Sequence, residues 1–402
     1  MFSNGQRVLL AAQRRSCALS GPQPMVKCAF SRTAGGFLPV PFDPGRRAVL
    51  AGAVAIGAAW SVSGAANAAT EGASDAIVVN GLDPSALSSS YLTMLKTGGV
   101  GCWHQSVGDS FTSFARLFAF FDANKAAIAP ARSVRDIRRI HHEGRIAHIS
   151  GWQSASGLLV DGEPALGNLR AYREVGLRIC GISYNVADAF GGGCFDPDVG
   201  LTRAGQRLVE AVHGARLVLD VAGHTNEKTS FQAIAMSSGV PIICSHSNVR
   251  ALNDNPRCNS DAMFEAIART GGVIGVSAFS DFHIRKTSDA KIARSPQASL
   301  ALHLDQYDHL KKLVGVDHIG IGPDFLHGRN DEVGPLSPAD QILMAAEAYS
   351  QETPWYYVEG FENISQLPNV AHGLAERGWT DAELRKLMGD NWLRVYEAVW
   401  GE

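Results

Sequence analysis

Two histidines and an aspartate stand out because each lies at or just after the end of a short apolar run. These residues are His224, His246 and Asp324. Neutral imidazoles and a carboxylate are good ligands for Zn²⁺, and the bound metal lowers the pKa of a coordinated water. Together the three residues predict a metal-assisted hydrolytic site. The alternative is that each histidine only caps a strand or bonds a nearby loop.

The elements that must position these residues are short β-branched runs separated by segments with a 3.6-residue periodicity. Strands that alternate with helices indicate βαβ units and a parallel sheet. Eight such units in roughly 260 residues predict a TIM (β/α)8 barrel, whose chemistry lies at the C-terminal strand ends. The alternative is an open doubly wound sheet, although no GxGxxG motif follows the first strand. The predicted strands are residues 77–79, 99–103, 146–150, 179–183, 217–220, 241–245, 273–279 and 318–322. From about residue 337 the pattern predicts extra C-terminal helices packed outside the barrel.

The charge is divided unevenly along the chain. The whole sequence of 402 residues has a net charge of −3. Residues 1–68 hold seven Lys and Arg against one acid, a net +6, which leaves 29 basic and 38 acidic residues, a net −9, in residues 69–402. Sequence-independent binding of nucleic acid requires a basic surface, so the acidic body argues against that class of partner.

The basic head has the features of an export signal. Arg46-Arg47 precedes an uncharged stretch, residues 48–70, and residues 66–68 read Ala-Asn-Ala, a small-x-small cleavage pattern. Such a leader predicts twin-arginine export to the periplasm, and the alternative is an uncleaved membrane anchor. We therefore divide the chain into a leader, residues 1–68, and one barrel domain, residues 69–402.

Several motifs occur in a single order along the predicted barrel and tail. They are residues 241–247, 255–261, 308–315, 319–325, 359–365, 378–384 and 390–396. Together they resemble the membrane (renal) dipeptidase family, peptidase family M19, over about residues 77–400. Tyr184-Asn185 and the segments 191–194 and 200–202 resemble its bacterial branch.

The resemblance implies an amidohydrolase-like barrel that hydrolyses dipeptides with two bridged zinc ions. His224 and His246 match the two histidines that hold one zinc. Asp324 matches the aspartate that handles the proton of the attacking water. Arg257 matches an arginine that pairs with the substrate carboxylate, a task suited to a bidentate guanidinium. A homodimer is also implied by the family.

Three features of the family pattern are replaced in this chain. Leu82 and Pro84 stand where the family has an HxD pair of metal ligands, and neither side chain binds zinc. Gln153 stands at the bridging glutamate, and its neutral amide brings no charge to offset two dications. Tyr184 replaces the histidine that polarises the scissile carbonyl, although its hydroxyl can donate to an oxyanion.

These replacements leave three readings of the function. In the first, a hydrolase of dipeptides or related small amides uses one zinc ion. Its metal ligands are His224, His246, Asp324 and, as the weakest candidate, Gln153. Its catalytic residues are Asp324 and Tyr184. Its substrate-binding residues are Arg257, Tyr184 and Asn185. In the second, a hydrolase or lyase of changed substrate, which need not bind a metal, uses Asp324, Tyr184 and Arg257 for acid–base chemistry on a carboxylate-bearing ligand. In the third, the exported barrel is non-catalytic and binds a small carboxylate.

Overall fold

Eight parallel strands of a nearly closed barrel form the centre of the structure, a computed structural model that describes residues 76–221, 223–284, 294–330 and 334–401. The strands are β1 (Val78–Asn80), β2 (Val100–Ser106), β3 (Ile128–Pro130), β4 (Ile146–Trp152), β5 (Leu159–Val160), β6 (Glu163–Pro164), β7 (Leu177–Gly181), β8 (Val218–Asp220), β9 (Ile243–Ser247), β10 (Val273–Val276), β11 (Ile319–Ile321), β12 (Gly334–Pro335) and β13 (Glu352–Thr353). The order around the barrel is β1-β2-β4-β7-β8-β9-β10-β11. Strand β3 pairs with β4 outside this order, and β5–β6 and β12–β13 are separate antiparallel pairs.

Backbone hydrogen bonds just beyond β1 and β11 join the first barrel strand to the last. Gly81 N donates to Ile321 O at 2.8 Å, and Asp324 N donates to Leu82 O at 3.1 Å. An open sheet would leave these edges without a partner. The predicted TIM barrel is therefore confirmed, and the alternative of an open doubly wound sheet is wrong.

Helices connect the strands and continue into the tail, and most of them begin at a residue whose side chain caps them. Ser88, Ser133, Thr202, Asn226 and Ser260 each accept a hydrogen bond from a backbone N–H of the first turn. The helices are α1 (Ser89–Thr97), α2 (Phe111–Ala123), α3 (Val134–His142), α4 (Asn168–Val175), α5 (Arg203–Gly214), α6 (Glu227–Met236), α7 (Asp261–Arg269), α8 (Leu300–Val314), α9 (Pro338–Leu343), α10 (Leu367–Glu376), α11 (Asp381–Arg385) and α12 (Asn391–Trp400). The predicted extra C-terminal helices are present as α10, α11 and α12.

Three strands extend at least two residues further at their C-terminal ends than the sequence pattern predicted. Strand β2 runs to Ser106 rather than ending at residue 103, β4 runs to Trp152 rather than 150, and β9 runs to Ser247 rather than 245. These extensions place His104 and His246 within strands, with side chains that are 0% exposed. The barrel interior therefore carries histidines on two strands that are not neighbours.

The N-terminal half of the barrel interior is apolar, and a residue of the C-terminal helix packs into it. Val79, Cys102, Ile149 and other strand residues form one buried cluster with Trp392 of α12. Burial of this apolar surface stabilises the barrel. It also confines polar side chains to the opposite, C-terminal half, where barrel enzymes carry their chemistry.

The predicted export signal, residues 1–68, lies outside the described residues. Within the ranges that the structure does describe, no helix has both the length and the apolar character needed to cross a bilayer.

Candidate functional site

Four of the residues predicted from the sequence meet at the C-terminal end of the barrel. The rings of His224 and His246 have centroids 4.9 Å apart. Asp324 Oδ2 lies 3.8 Å from His246 Nε2, and Arg257 Nη2 lies 3.2 Å from His224 Nε2. All four side chains are buried, with Asp324 the most accessible at 9%. The structure thus brings together two imidazoles, a carboxyl group and a guanidinium inside the protein.

Both ring nitrogens of His224 are engaged. The Nδ1 atom lies 2.6 Å from the amide oxygen of Asn185, which can only accept, so Nδ1 carries the proton. The Nε2 atom then accepts the hydrogen bond from Arg257 Nη2. Burial lowers the pKa of His224 well below its usual value, and the nearby charge of Arg257 lowers it further. His224 is therefore a neutral imidazole with a fixed tautomer.

Asn185 contacts His224, and both the nitrogen and the oxygen of the Asn185 side-chain amide form hydrogen bonds. Its amide nitrogen donates to the carbonyl of Leu343 at 2.6 Å, while its oxygen accepts from His224. Its φ of +61° is in the left-handed region, which an asparagine tolerates better than most residues. Asn185 orients His224 in this structure, and its direct contact with a substrate stays a prediction.

Arg257 is completely buried and held from several sides. Its Nε atom donates to the hydroxyl of Tyr349 at 2.7 Å, and its guanidinium carbon lies 5.1 Å from the ring centroid of Phe282. Its backbone N donates to the side chain of Asn255 at 2.9 Å. Within the described residues, Nη1 has no hydrogen-bond partner. An arginine remains protonated in proteins, so the site contains one permanent positive charge with donors to spare.

Asp324 and His246 are neighbouring titratable groups of the site, with Oδ2 and Nε2 3.8 Å apart. Burial raises the pKa of Asp324 to about 7, although the positive charge of Arg257 opposes this shift. Burial also lowers the pKa of His246 well below its usual range, so that this ring is neutral. His246 Nδ1 lies 2.8 Å from Ser245 Oγ, while Nε2 has no hydrogen-bond partner among the described residues. The free Nε2 and the Asp324 carboxyl group are close enough for one water beside them to hydrogen-bond to both.

Asp324 adopts a backbone conformation that is unusual for a residue with a side chain. Its φ is +63°, and its backbone N is bonded to Leu82 O. Positive φ values in residues other than glycine cost free energy and often occur at functional sites. The barrel closure therefore sets the direction of the Asp324 carboxyl group.

His104 enters the same interior from β2. Its Nδ1 atom bonds to the carbonyl of Gly81, and burial lowers its pKa to about 4. The Nε2 atom faces Gly151 on β4 so closely that a Cβ at Gly151 would overlap it. The sequence analysis did not assign His104 to the site, and in the structure it lies near enough to His246 to affect the pKa of that ring.

The donor set does not fit the two-zinc centre that the family implies. Leu82 and Pro84 are buried and apolar at the HxD positions, and Gln153 offers a neutral amide in place of the bridging carboxylate. Over the part of the chain that the structure describes, no group of three His, Cys, Asp or Glu residues is arranged to hold a metal ion. The one-zinc set is not assembled either, because His224 Nε2 already accepts from Arg257.

A cavity of about 440 Å³ opens beside these residues at the barrel mouth. Tyr184 forms the wall between the cavity and the buried site, because it lines the cavity and stacks on His224 with ring centroids 3.9 Å apart. This volume lies in the range of small-molecule sites. Other lining residues include Asp109, Trp152, Gln153, Asp188 and Leu343.

Sequence reasoning missed Tyr349, which lies in the tail well after the last barrel strand. Its hydroxyl accepts from Arg257 Nε, and Asn185 Nδ2 lies 3.4 Å from the same oxygen. Nothing in the local sequence distinguishes Tyr349 from an ordinary core tyrosine. Only the path of the tail across the barrel mouth brings it to the arginine.

A parallel barrel with polar side chains at the C-terminal strand ends is the arrangement of TIM-barrel enzymes, and the similar solved structures described below place it among the amidohydrolase-like barrels. The sequence model of "Membrane dipeptidase (Peptidase family M19)" matches residues 60–341 and 353–400. The chain belongs to this family and is a dipeptidase-like hydrolase. The family implies a metal, typically zinc, which makes the poor donor set a property of this particular chain.

Two relatives in sequence each match about two thirds of this chain. The chain is 31% identical over 278 residues to the "uncharacterized protein in pqqA 5'region" of Klebsiella pneumoniae, covering 67% of this chain and 88% of that protein. It is 26% identical over 270 residues to an uncharacterized dipeptidase of Schizosaccharomyces pombe, covering 64% of this chain and 56% of that protein.

Solved structures show the same fold. An amidohydrolase from Pseudomonas aeruginosa superposes with a TM-score of 0.70 at 25% identity, covering 82% of this chain and 98% of that one. A metallo peptidase from Rhodobacter sphaeroides, liganded with a phosphinate mimic of the dipeptide L-Ala-D-Ala, superposes with a TM-score of 0.63 at 20% identity, covering 81% and 99%.

Proposed function

We propose that this protein hydrolyses dipeptides or related small amides that carry a carboxylate. The observation that carries the proposal is the burial of Asp324 and Arg257 together beside a cavity. Burying ionisable groups is costly, and such groups with perturbed pKa values concentrate at functional sites. The dipeptide mimic bound to the Rhodobacter sphaeroides relative supports a substrate of this size.

The residues present supply a complete set of roles for hydrolysis. A water between Asp324 and His246 attacks the amide carbon while the Asp324 carboxylate takes its proton. The hydroxyl of Tyr184 donates to the oxyanion that forms. The C–N bond then breaks as the Asp324 carboxyl group returns the proton to the leaving amine. The unpartnered Nη1 of Arg257 is available to the substrate carboxylate.

Metal-activated water remains the finer prediction from the family, with one zinc on His224, His246 and Asp324. Arg257 occupies the coordinating nitrogen of His224, so these donors do not fit zinc as they stand. Hydrolysis by Asp324 and Tyr184 requires only side chains of the chain itself. Metal dependence is therefore a measurement that separates the two versions of the same hydrolysis.

Hydrolysis of a dipeptide panel that includes L-Ala-D-Ala tests the proposal. The chain without its leader should release free amino acids, and Asp324→Asn should lower kcat by about 10²–10⁴ because the general base is lost. Asp317→Asn, which alters an exposed aspartate paired with Lys386, is the matched control. If no peptide is cleaved with or without added zinc, the proposal is wrong. Thermal protection by small carboxylates, lost in Arg257→Leu, would then identify a carboxylate-binding barrel.

We also propose that the protein is exported to the periplasm and acts there as the homodimer implied by its family resemblance. The support for export is the Arg46-Arg47 pair before the uncharged stretch 48–70. Replacing both arginines by lysine should retain the chain in the cytoplasm, as measured by cell fractionation. Recovery of the unaltered chain in the membrane pellet would indicate an anchor instead, and size-exclusion chromatography with light scattering tests the dimer.

A further inference from the structure

The coordinating capacity of His224 is already used within the protein. An imidazole nitrogen has one in-plane lone pair, and a metal ion and an N–H donor compete for it. The Nε2 lone pair faces Arg257 Nη2 at 3.2 Å, and Nδ1 is protonated and directed at Asn185. A zinc ion at its usual distance of about 2.1 Å from Nε2 would have to displace the guanidinium.

The guanidinium is not free to move aside. Tyr349 accepts from its Nε atom, and Phe282 covers it. Gly223 also lies so close that a Cβ there would overlap both Nη1 and the Arg257 carbonyl. Contacts on several sides therefore fix the guanidinium at the position where it meets His224.

Tyr349 belongs to a part of the tail that sets this chain apart from the family pattern. The family match stops at residue 341 and resumes at residue 353, so Tyr349 lies between the two matched parts. The residue that anchors Arg257 at its Nε atom is thus supplied by the unmatched segment. The same chain also lacks the HxD pair and the bridging glutamate.

The remaining donors do not make a zinc site on their own. His246 Nε2 and Asp324 Oδ2, 3.8 Å apart, offer two ligands, whereas catalytic zinc sites use three protein ligands. A dication at this pair would also be repelled by the fixed charge of Arg257.

We propose that the Arg257 guanidinium takes the place of a metal ion at His224, so that the pocket excludes zinc and carries the fixed positive charge of the arginine instead. The arginine occupies the coordinating lone pair and satisfies the buried imidazole as a metal would. Its role toward substrate rests on the proposed function, but the exclusion of zinc does not.

Zinc uptake by the protein without its leader, stripped with a chelator, tests the proposal without reference to activity. Equilibrium dialysis against zinc followed by metal analysis should show no uptake that depends on His246, comparing the unaltered protein with His246→Ala. Zinc that the unaltered protein and His246→Ala retain equally is bound outside the site, and this result agrees with the proposal. Stoichiometric uptake that is lost in His246→Ala would overturn it.

Removal of the arginine supplies the converse experiment. Arg257→Leu frees His224 Nε2 beside His246 and Asp324, and should gain about one zinc per chain, the stoichiometry of a three-ligand site. The gain should vanish in Arg257→Leu/His246→Ala and be absent from Arg250→Leu, a partly exposed control. Folded Arg257→Leu protein without zinc uptake would contradict the proposal. If Arg257→Leu does not fold, the comparison of zinc uptake between the unaltered protein and His246→Ala still tests the proposal. A zinc-free protein that cleaves no peptide would refute the proposed function alone.

Discussion

Asp324 is the residue whose protonation should control the reaction. Burial raises its pKa to about 7, so below that pH the carboxyl group is protonated and cannot accept a proton from water. We expect kcat/KM to rise with pH through about 7, and the rising limb to be absent from the residual activity of Asp324→Asn. A pH–rate profile over this range measures it. A limb near the ordinary aspartate pKa of about 4 would show that burial does not raise the pKa of the base.

Tyr184 combines two roles that one substitution separates. Its ring stacks on His224, and its hydroxyl is the proposed donor to the oxyanion. Tyr184→Phe keeps the ring and removes the hydroxyl. We therefore expect kcat to fall by about 10²–10³, the loss typical of one oxyanion donor, with little change in KM. Steady-state kinetics measure this, with Tyr356→Phe as a control on an exposed tyrosine. An unchanged kcat would leave Tyr184 only a packing role.

At the scale of elements, residues 343–350 form a cap segment over the barrel mouth. Leu343 O accepts from Asn185 and Ala348 O from Asn255, while the Tyr349 hydroxyl accepts from Arg257. Ser350 adds two hydrogen bonds to the buried side chain of Asp281. The cap segment therefore fixes the loops that carry the site, although it belongs to no barrel strand.

Tyr349→Phe should weaken the hold of the cap segment on Arg257. Loss of the acceptor leaves a buried guanidinium N–H without its partner, which costs about 1–3 kcal/mol in the free energy of unfolding. We expect KM for carboxylate-bearing substrates to rise more than kcat falls. Urea unfolding and steady-state kinetics measure both. Tyr307→Phe is the matched control, because that buried hydroxyl has no partner within the described residues and its removal should be nearly neutral. Equal effects of the two substitutions would argue against an anchoring role.

The elements also show how much of the site the sequence could predict. His224, His246 and Asp324 were predictable because parallel strands that alternate with helices end at one edge of a barrel. The contact between Arg257 and His224 was not, because a family motif assigns residue types and not the direction of a guanidinium. Tyr349 was not predictable either, since its position depends on a tail path that no periodicity indicates. The sequence showed that Leu82, Pro84 and Gln153 stand at positions where the family has metal ligands. It did not show which group takes the place of the metal.

At the scale of the whole molecule, the barrel interior is divided between an apolar half and a polar half. Trp392 of α12 is completely buried in the apolar half, against strand residues from around the barrel. Gly81 and Gly320 leave the space for its indole, since a Cβ at either would overlap the ring. The last helix of the chain therefore supports the first and last strands, whose junction sets the direction of Asp324.

Gly320→Ala should consequently destabilise the whole barrel. The added methyl group meets the Trp392 indole, and overpacking of a filled core costs about 1–3 kcal/mol in the free energy of unfolding. Gly214→Ala is the matched control, because a Cβ there meets no atom within 4 Å and lies in α5. In a helix that change should be neutral or stabilise by up to about 1 kcal/mol. Urea unfolding of both variants measures the difference. Equal stabilities would show that Trp392 can move aside, and that the C-terminal helix does not fix the barrel junction at Asp324.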